Sequence, residues 1–287
     1  LYGMGMAIVG VGRDPGKLAT LASEIGDPGR LATLAIDITE DAAPQAIVRL
    51  ALERFGRIDF LINNAGIGKP KPLHETDDET LDHFLGIMLR APFRLARDVI
   101  VHMQPGSAII NVTSTYAVVG GRRGGAYSAA KGGLTALTLH IACDYGAQGI
   151  RANCVAPGVT LTDMVKERLN DKAFRRMNIE MTPSPRLGKV EDIASTIAFL
   201  CSPGAAYING QTIVSWQELR WELLQLALGR GGATLEVINK RQEISFRKLD
   251  LSSLNTSDLE GDILQQMGFR FYRPMLPSVI GKITPGS

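Results

Sequence analysis

Short apolar runs alternate with amphipathic segments from about residue 8 to residue 214. The apolar runs predict strands because they are short, rich in Ile, Val, Leu and Ala, and bounded by turn residues. In chain order they are AIVGV, RLATLAID, IDFLI, SAIINVT, IRANCVA and GQTIV. Apolar strands separated by helices predict a parallel sheet that is covered by helices on both faces.

The segments between the strands have helical periodicity and recognisable ends. The first predicted helix follows Asp14, a favoured N-cap residue, carries Pro15 in its first turn and ends at Gly26. The other predicted helices cover residues 42–55, 77–102, 126–147 and 190–202. An open sheet of this kind binds ligands beyond the carboxyl ends of its strands. We therefore expect functional residues directly after each strand.

The pattern changes after Val214. SWQELRWELLQLALGRGG predicts an amphipathic helix, which begins with a capping box formed by Ser215 and Glu218. Two strand-like runs, TLEVI and EISFRKLDL, and the helix-like TSDLEGDILQQMG follow it. We divide the chain into an α/β domain of residues 1–214 and a C-terminal extension of residues 215–287, whose role and structure the sequence leaves open.

Composition narrows the range of functions. The 287 residues are 45% hydrophobic and 21% charged, as in an average soluble protein. The net charge of +2 comes without a basic stripe, so nucleic acid and anionic membranes are not expected partners. No apolar run reaches the length of about 18 residues that spans a membrane. The chain begins with Leu1 instead of Met, which leaves a preceding targeting segment open.

The cysteines and histidines suggest neither disulfides nor a metal. Cys143, Cys154 and Cys201 are odd in number, widely spaced and set among apolar residues. We expect them to be reduced core residues in a cytoplasmic protein. The histidines show no metal-ligand spacing with these cysteines, so no metal site is predicted.

Three residues form a candidate catalytic group. NVTS ends in Ser114, and AYSAAKGG places Tyr127 and Lys131 four residues apart, on one face of a helix. A tyrosine hydroxyl has a pKa of about 10, and a nearby ammonium lowers it by favouring the phenolate. Ser114, at a strand end, suits a hydrogen bond to a substrate carbonyl or alcohol. The Tyr-x-x-x-Lys pair alone is weak, but with Ser114 it indicates proton transfer.

Other strands on the same sheet edge end in small or turn-forming residues. NNAG, Asn63–Gly66, follows IDFLI, and its small residues let a ligand approach the backbone closely. Pro157 and Gly158, in APGVTLTDM, turn the chain outward after RANCV, and Asp37 ends LAID. Each motif alone is common in turns. Their coincidence on one edge indicates a ligand site.

From about Val9 to Val214 the chain resembles the short-chain dehydrogenase/reductase family. The resemblance rests on NNAG, NVTS, AYSAAK, APGVTLTDM and PRLGKVEDIA, which occur in this order and at the family's spacing. It implies a Rossmann-like doubly wound parallel sheet. It also implies an NAD(P)-dependent oxidoreductase that interconverts a ketone and a secondary alcohol, with a core like that of the 3-oxoacyl-carrier-protein reductases.

The same resemblance assigns roles to individual residues. Tyr127 would donate or accept the proton, Lys131 would lower the pKa of Tyr127 and hold the nicotinamide ribose, and Ser114 would position the carbonyl. The cofactor-binding residues that it implies are Gly3, Gly5, Arg13, Asp37, Asn63, Ala65, Gly66, Tyr127, Lys131, Pro157, Gly158, Val159 and Thr162. It also implies a homodimer or homotetramer, joined through the helices at 77–102 and 126–147.

Arg13 determines the expected cofactor. An acidic residue at this strand end accepts the ribose hydroxyl of NAD, whereas arginine suits the 2′-phosphate of NADP. The strand ends in VGVGRD, with Gly12 and Arg13 at the deciding positions. We expect NADP(H), with NAD(H) as the alternative if Arg13 is merely solvated and Asp14 only caps the helix.

The opening LYGMGMAIVGVGR departs from the family. Arg13 follows Gly5 by eight residues, whereas a strand–helix–strand crossover needs at least about 10–12 residues. The family's first strand and first helix therefore cannot both be present, and the first βα unit is incomplete. We expect an exposed sheet edge and the loss of most backbone amides that would hold the cofactor pyrophosphate.

Met88 and the extension also depart from the family and keep a second function open. Met88 stands where the family carries an asparagine of its proton relay, and a thioether cannot donate a hydrogen bond. The alternative function is thus a catalytically impaired or non-catalytic member that acts through protein–protein contacts. Arg122 and Arg123 lie just before Tyr127. The sequence favours a solvated loop for them, and the alternative is a site for an acidic substrate.

Overall fold

The computed structural model describes residues 1–68, 71–119, 122–180, 186–210, 212–213, 232–238 and 244–250. The chain divides into two compact units, Leu1–Glu222 and Leu223–Ser287. The predicted division at residues 214 and 215 lies close to this boundary and stays a prediction. The helices predicted within SWQELRWELLQLALGRGG and TSDLEGDILQQMG lie outside the described residues.

Strands and helices alternate in the first unit, as the apolar pattern predicts. The strands are β1 (Ile8–Gly12), β2 (Leu31–Ala35), β3 (Phe60–Asn63), β4 (Ala108–Val112), β5 (Arg151–Val155) and β6 (Thr212–Ile213). The helices are α1 (Pro15–Ile25), α2 (Ala43–Phe55), α3 (Asp78–Leu85), α4 (Ala91–Ile100), α5 (Gly125–Tyr145), α6 (Asp163–Lys166), α7 (Lys172–Glu180) and α8 (Val190–Leu200). In the second unit, β7 (Gly232–Ile238) and β8 (Ile244–Asp250) pair antiparallel, where the two strand-like runs were predicted.

Hydrogen bonding divides the strands of the first unit into two parallel sheets. β1 pairs with β2, and a second sheet has the order β3-β4-β5-β6. Within the described residues no ladder joins β1 to β3. The side chains of β4 and β5 are buried throughout, whereas those of β1 and all but the last of β3 are only partly buried. This break in the sheet confirms that the first βα unit is incomplete.

Helices cover both faces of the second sheet. On one face, Val99 of α4 and Ile141 of α5 pack on Ile109 and Ala152. On the other face, α8 packs on residues of β4 and β5, with Leu200 fully buried. This arrangement is the Rossmann-like layering that the sequence predicts. None of the described helices is long and apolar enough to cross a membrane.

The predicted helix at 77–102 is interrupted. Residues Gly86–Arg90 form a π-helical turn between α3 and α4, in which the amide of Ala91 donates to the carbonyl of Gly86. Pro92 explains the change, because proline has no N–H to donate to the carbonyl four residues before it. That carbonyl belongs to Met88, so the π turn lies at the residue that departs from the family. Such turns often lie at functional sites.

The cysteine prediction is correct for two residues and wrong for one. The three cysteines form no disulfide within the described residues, and Cys154 and Cys201 are buried. Cys143 is exposed on α5, next to the buried Ala142. Consecutive residues on a helix point about 100° apart, so the residue beside a core position can face outward.

Candidate active site

A cavity of about 610 Å³ lies at the carboxyl ends of β3, β4 and β5. Eight of the residues proposed for catalysis and cofactor binding line it: Gly66, Ser114, Tyr127, Lys131, Pro157, Gly158, Val159 and Thr162. The cavity therefore lies beyond the carboxyl ends of the strands, where the sequence predicts functional residues.

Ser114 is held in the cavity wall at the end of β4. Its backbone is extended, and its Oγ accepts a hydrogen bond of 3.2 Å from the amide of Tyr116, which caps a 3₁₀ turn over Thr115–Ala117. The preceding Thr113 continues the strand pairing, since its amide donates to Val155 O at 2.7 Å. The hydroxyl of Ser114 is thus fixed at the edge of the buried sheet.

Tyr127 lies in the first turn of α5, beside Ser114. Its ring packs edge-to-face against Tyr116, with the ring centroids 6.3 Å apart. Burial raises the pKa of the Tyr127 hydroxyl above its ordinary value of 10.0, and the hydrogen bond with Ser114 opposes this rise. The lowering of this pKa by Lys131, which the family resemblance implies, stays a prediction.

Lys131 is buried one turn farther along α5. Its side chain is 3% exposed, and Nζ donates to Val112 O at 2.6 Å and lies 5.9 Å from the ring centroid of Tyr127. Burial lowers the pKa of Lys131 from 10.5 to about 8.

Gly66 lies close to the side chains of both Met88 and Lys131. A Cβ at Gly66 would lie 3.6 Å from Met88 Sδ and 3.8 Å from Lys131 Nζ, which are ordinary van der Waals distances. Met88 is fully buried. Met88 Sδ and Lys131 Nζ thus both lie within 4 Å of one point, the Cβ position of Gly66, and a thioether is only a weak hydrogen-bond acceptor.

Asn63 lies beneath the site instead of lining it. Its amide donates to Asn111 Oδ1 at 2.8 Å, and the amide of Asn111 donates to Thr138 Oγ1 at 2.7 Å. Thr138 completes the chain by donating to the carbonyl of Leu134. This buried network ties β3, β4 and α5 together, so Asn63 serves to hold the strand end in place. Ala65 also does not line the cavity.

Four other residues proposed for cofactor binding, Gly3, Gly5, Arg13 and Asp37, do not line the cavity. Gly3 and Gly5 belong to an exposed turn, which is held to the α1–β2 connection by a 3.0 Å bond from Tyr2 Oη to Asp27. Arg13 Nη1 contacts Asp37 Oδ2 at 3.5 Å beyond the ends of β1 and β2. Asp37 also accepts from the amide and hydroxyl of Thr39, and these bonds lower its pKa.

The cavity wall also contains two basic residues that the sequence does not predict there, Lys71 and Arg168. Both lie in connections between elements, and their side chains reach the site through contacts that are distant in sequence. The segment after Pro157, which contains Arg168, folds into α6, a 3₁₀ turn and α7. No strand-end signal marks such residues.

The family model described as enoyl-(acyl carrier protein) reductase matches residues 2–215. The chain belongs to the short-chain dehydrogenase/reductase family. As a member of this family it is an NAD(P)-dependent oxidoreductase by descent, and Ser114, Tyr127 and Lys131 line its cavity.

Relatives of this short-chain dehydrogenase/reductase include enzymes of known activity. It is 36% identical to the 3-oxoacyl-[acyl-carrier-protein] reductase FabG of Vibrio cholerae over 179 residues, which cover 62% of this chain and 72% of that protein. A short-chain dehydrogenase/reductase structure from Brucella melitensis is similar with a TM-score of 0.70 and 35% identity, covering 73% of this chain and 84% of that chain. A gluconate 5-dehydrogenase from Burkholderia cenocepacia, in complex with NADP and tartrate, has a TM-score of 0.68 and 30% identity, covering 75% and 86%.

Proposed function

We propose that the chain interconverts a ketone and a secondary alcohol by hydride transfer with a nicotinamide cofactor, NADP(H) in preference to NAD(H). One observation carries the proposal: a single cavity at the strand ends is lined by the hydroxyls of Ser114 and Tyr127 and by the ammonium of Lys131. These groups can orient a carbonyl and exchange its proton.

The cavity fits the nicotinamide and its ribose. Gly158 faces open space, since a Cβ there would meet no atom within 4 Å, and Pro157, Val159 and Thr162 continue this wall. The cavity does not account for the cofactor phosphates in the same way. Gly3 and Gly5, which are expected to bind them, lie outside it. The cofactor, when bound, supplies or accepts the hydride.

The protein's own residues provide placement and the proton. The Ser114 hydroxyl donates a hydrogen bond to the substrate oxygen, and the Tyr127 hydroxyl gives that oxygen its proton in reduction and takes it back in oxidation. An ammonium has three donors, so the bond from Lys131 to Val112 O leaves two for ribose hydroxyls. With a pKa of about 8, Lys131 is mostly charged at neutral pH.

Arg13 supports the choice of NADP(H). Its side chain is 62% exposed at the end of β1, and its contact with Asp37 is long for an ion pair, at 3.5 Å. A guanidinium so exposed is available to a 2′-phosphate. The similar gluconate 5-dehydrogenase is in complex with NADP, which supports the same choice.

Exposed apolar residues on α4 and α5 support the expected homodimer or homotetramer. Phe93 on α4 and Val101, directly after it, are 50% and 75% exposed, and Leu139 on α5 is 45% exposed. Large exposed apolar side chains on neighbouring helices suit a subunit interface. Light scattering on the purified chain tests this assembly.

The test is NADPH oxidation at 340 nm with ethyl acetoacetate as the carbonyl substrate. Tyr127→Phe removes the proton donor, so kcat should fall by at least about 100-fold. Tyr145→Phe, at the other end of α5, is the matched control and should keep wild-type turnover. Equal turnover by wild type and Tyr127→Phe contradicts the proposed role of Tyr127.

A second function is favoured by Met88, a fully buried thioether where the family carries an asparagine of its proton relay. A non-catalytic protein that acts through protein–protein contacts would bind no NADPH even at millimolar concentration. Micromolar affinity for NADPH would exclude this alternative.

A further inference from the structure

The described lining of the cavity is strongly basic. It includes five cationic side chains and no Asp or Glu: Lys71, Arg122, Arg123, Lys131 and Arg168. The whole chain, by contrast, has a net charge of only +2. A cleft lined by one sign of charge concentrates ligands of the opposite sign.

Two of these cations are already paired, and three are available. Lys131 Nζ donates to Val112 O, and Lys71 Nζ contacts Asp77 at 3.0 Å and Thr80 at 3.1 Å. The guanidinium groups of Arg122, Arg123 and Arg168 have no carboxylate partner within the part of the chain that the structure describes.

The backbone holds Arg123 in an unusual conformation at this wall. Its φ is 58°, in the left-handed region, and it is the one described non-glycine residue with a positive φ. Such strain persists where the surroundings fix it, and it is common in ligand clamps. Here the next residue, Gly124, forms a bridge with Lys71 and accepts a 2.7 Å bond from the amide of Ser128. Arg123 precedes Tyr127 by four residues, so their Cα atoms lie within about 14 Å.

Arg168 is held at the same cavity by an aromatic ring. Its guanidinium lies 4.1 Å from the centroid of the Phe174 ring, and both residues line the cavity. A cation–π contact orients the guanidinium and leaves its N–H groups free. Guanidinium groups match the oxygens of a carboxylate or phosphate in a bidentate way.

We propose that the substrate is an oxo acid or hydroxy acid, whose anionic oxygen group is bound by Arg123 and Arg168 while its reacting oxygen meets Ser114 and Tyr127. The inference rests on the proposed function, because it names the substrate class for that site. Arg122 adds to the positive potential. Arg122 and Arg123 are exposed in a turn, as the sequence favours, and they also line the cavity, where they can meet an anionic substrate.

The test compares 4-oxopentanoate, its methyl ester and 3-oxobutyl phosphate, with NADPH as cofactor. In wild type, kcat/KM for the acid should exceed that for the ester at least about tenfold, as a charge-assisted hydrogen bond predicts. Arg123→Gln should lower kcat/KM for the acid by a factor of about 10 to 100 and leave the ester within twofold. 3-Oxobutyl phosphate shows which anion the site prefers. If its kcat/KM exceeds that of 4-oxopentanoate, the substrate is a phosphorylated compound that binds to the same arginines.

Arg49→Gln is the matched control, because Arg49 is exposed on α2 and does not line the cavity. It should keep the wild-type ratio of acid to ester. The NADPH Kd should be unchanged in Arg123→Gln, and a parallel loss of NADPH affinity would overturn the inference by assigning the arginine to the cofactor phosphates.

Saturation-transfer NMR of the acid and the ester separates this inference from the proposed function. Selective binding of the acid that Arg123→Gln abolishes, without turnover, supports the anionic subsite and contradicts the catalytic proposal. Turnover of the ester as fast as that of the acid supports the catalytic proposal and overturns the anionic subsite.

Discussion

Replacement of Lys131 by Met should change how stability depends on pH. The ammonium is 3% exposed, and burial lowers its pKa from 10.5 to about 8. At pH values between these two pKa values, Lys131 is protonated in the unfolded chain and has lost its proton in the folded chain. Stability rises with pH wherever the unfolded state binds more protons. The wild type should therefore gain stability over this range, and Lys131→Met should lack that gain.

The magnitude follows from the shift. Each pKa unit corresponds to about 1.4 kcal/mol, so the full shift is worth roughly 3 kcal/mol. Integrated from pH 7 to pH 9.5, the wild type should gain about 2 kcal/mol in the free energy of unfolding relative to Lys131→Met. Tyr127 and Cys201 have raised pKa values and act in the opposite direction. Because both proteins contain them, their effect largely cancels in the difference.

Urea unfolding, followed by far-UV circular dichroism at several pH values, measures this difference. Lys17→Met is the control, since Lys17 is exposed on α1 and should show no such slope. A difference between wild type and Lys131→Met that stays within about 0.5 kcal/mol from pH 7 to 9.5 would falsify the burial argument.

Two further substitutions test the scaffold. Asn111→Ala leaves the buried amide of Asn63 without its acceptor, which should cost about 2–4 kcal/mol in urea unfolding; a loss below about 0.5 kcal/mol would contradict the network. Gly149→Ala should cost about 2 kcal/mol, because φ is 77° and a Cβ would lie 3.0 Å from Pro105 Cβ. Gly106→Ala, at φ 95° with no atom within 4 Å, should cost less, and equal losses would refute the contribution of the clash.

Local signals in the sequence predicted much of the fold. Asp14 and Gly26 mark the ends of α1: Asp14 accepts from the amides of Gly16 and Lys17, and Gly26 adopts φ 63°. The apolar runs predicted the strands, because a strand that is buried on both faces has consecutive apolar residues. The short link from Gly5 to Arg13 likewise predicted that the first βα unit is incomplete.

Contacts between distant residues were beyond sequence reasoning. Asn63 follows a strand in the manner of a ligand-binding residue, but its amide pairs with Asn111 on the neighbouring strand. The π turn arises from the missing amide of Pro92. Arg168 reaches the cavity only because the segment after β5 folds back over the site. In each case the partner lies far away in sequence, or the effect depends on backbone hydrogen bonds that periodicity does not reveal.

Two glycines test most directly whether the cofactor binds at the catalytic end of this cavity. A Cβ at Gly158 or at Gly3 would meet no atom within 4 Å, but only Gly158 lines the cavity. A titration with NADPH, followed by nicotinamide fluorescence, compares Gly158→Leu and Gly3→Leu with the wild type. The expected result is NADPH binding that Gly158→Leu weakens at least about tenfold, or 1.4 kcal/mol, and that Gly3→Leu leaves within threefold. Loss of binding in Gly3→Leu but not in Gly158→Leu, or no binding by the wild type at millimolar NADPH, would contradict this account.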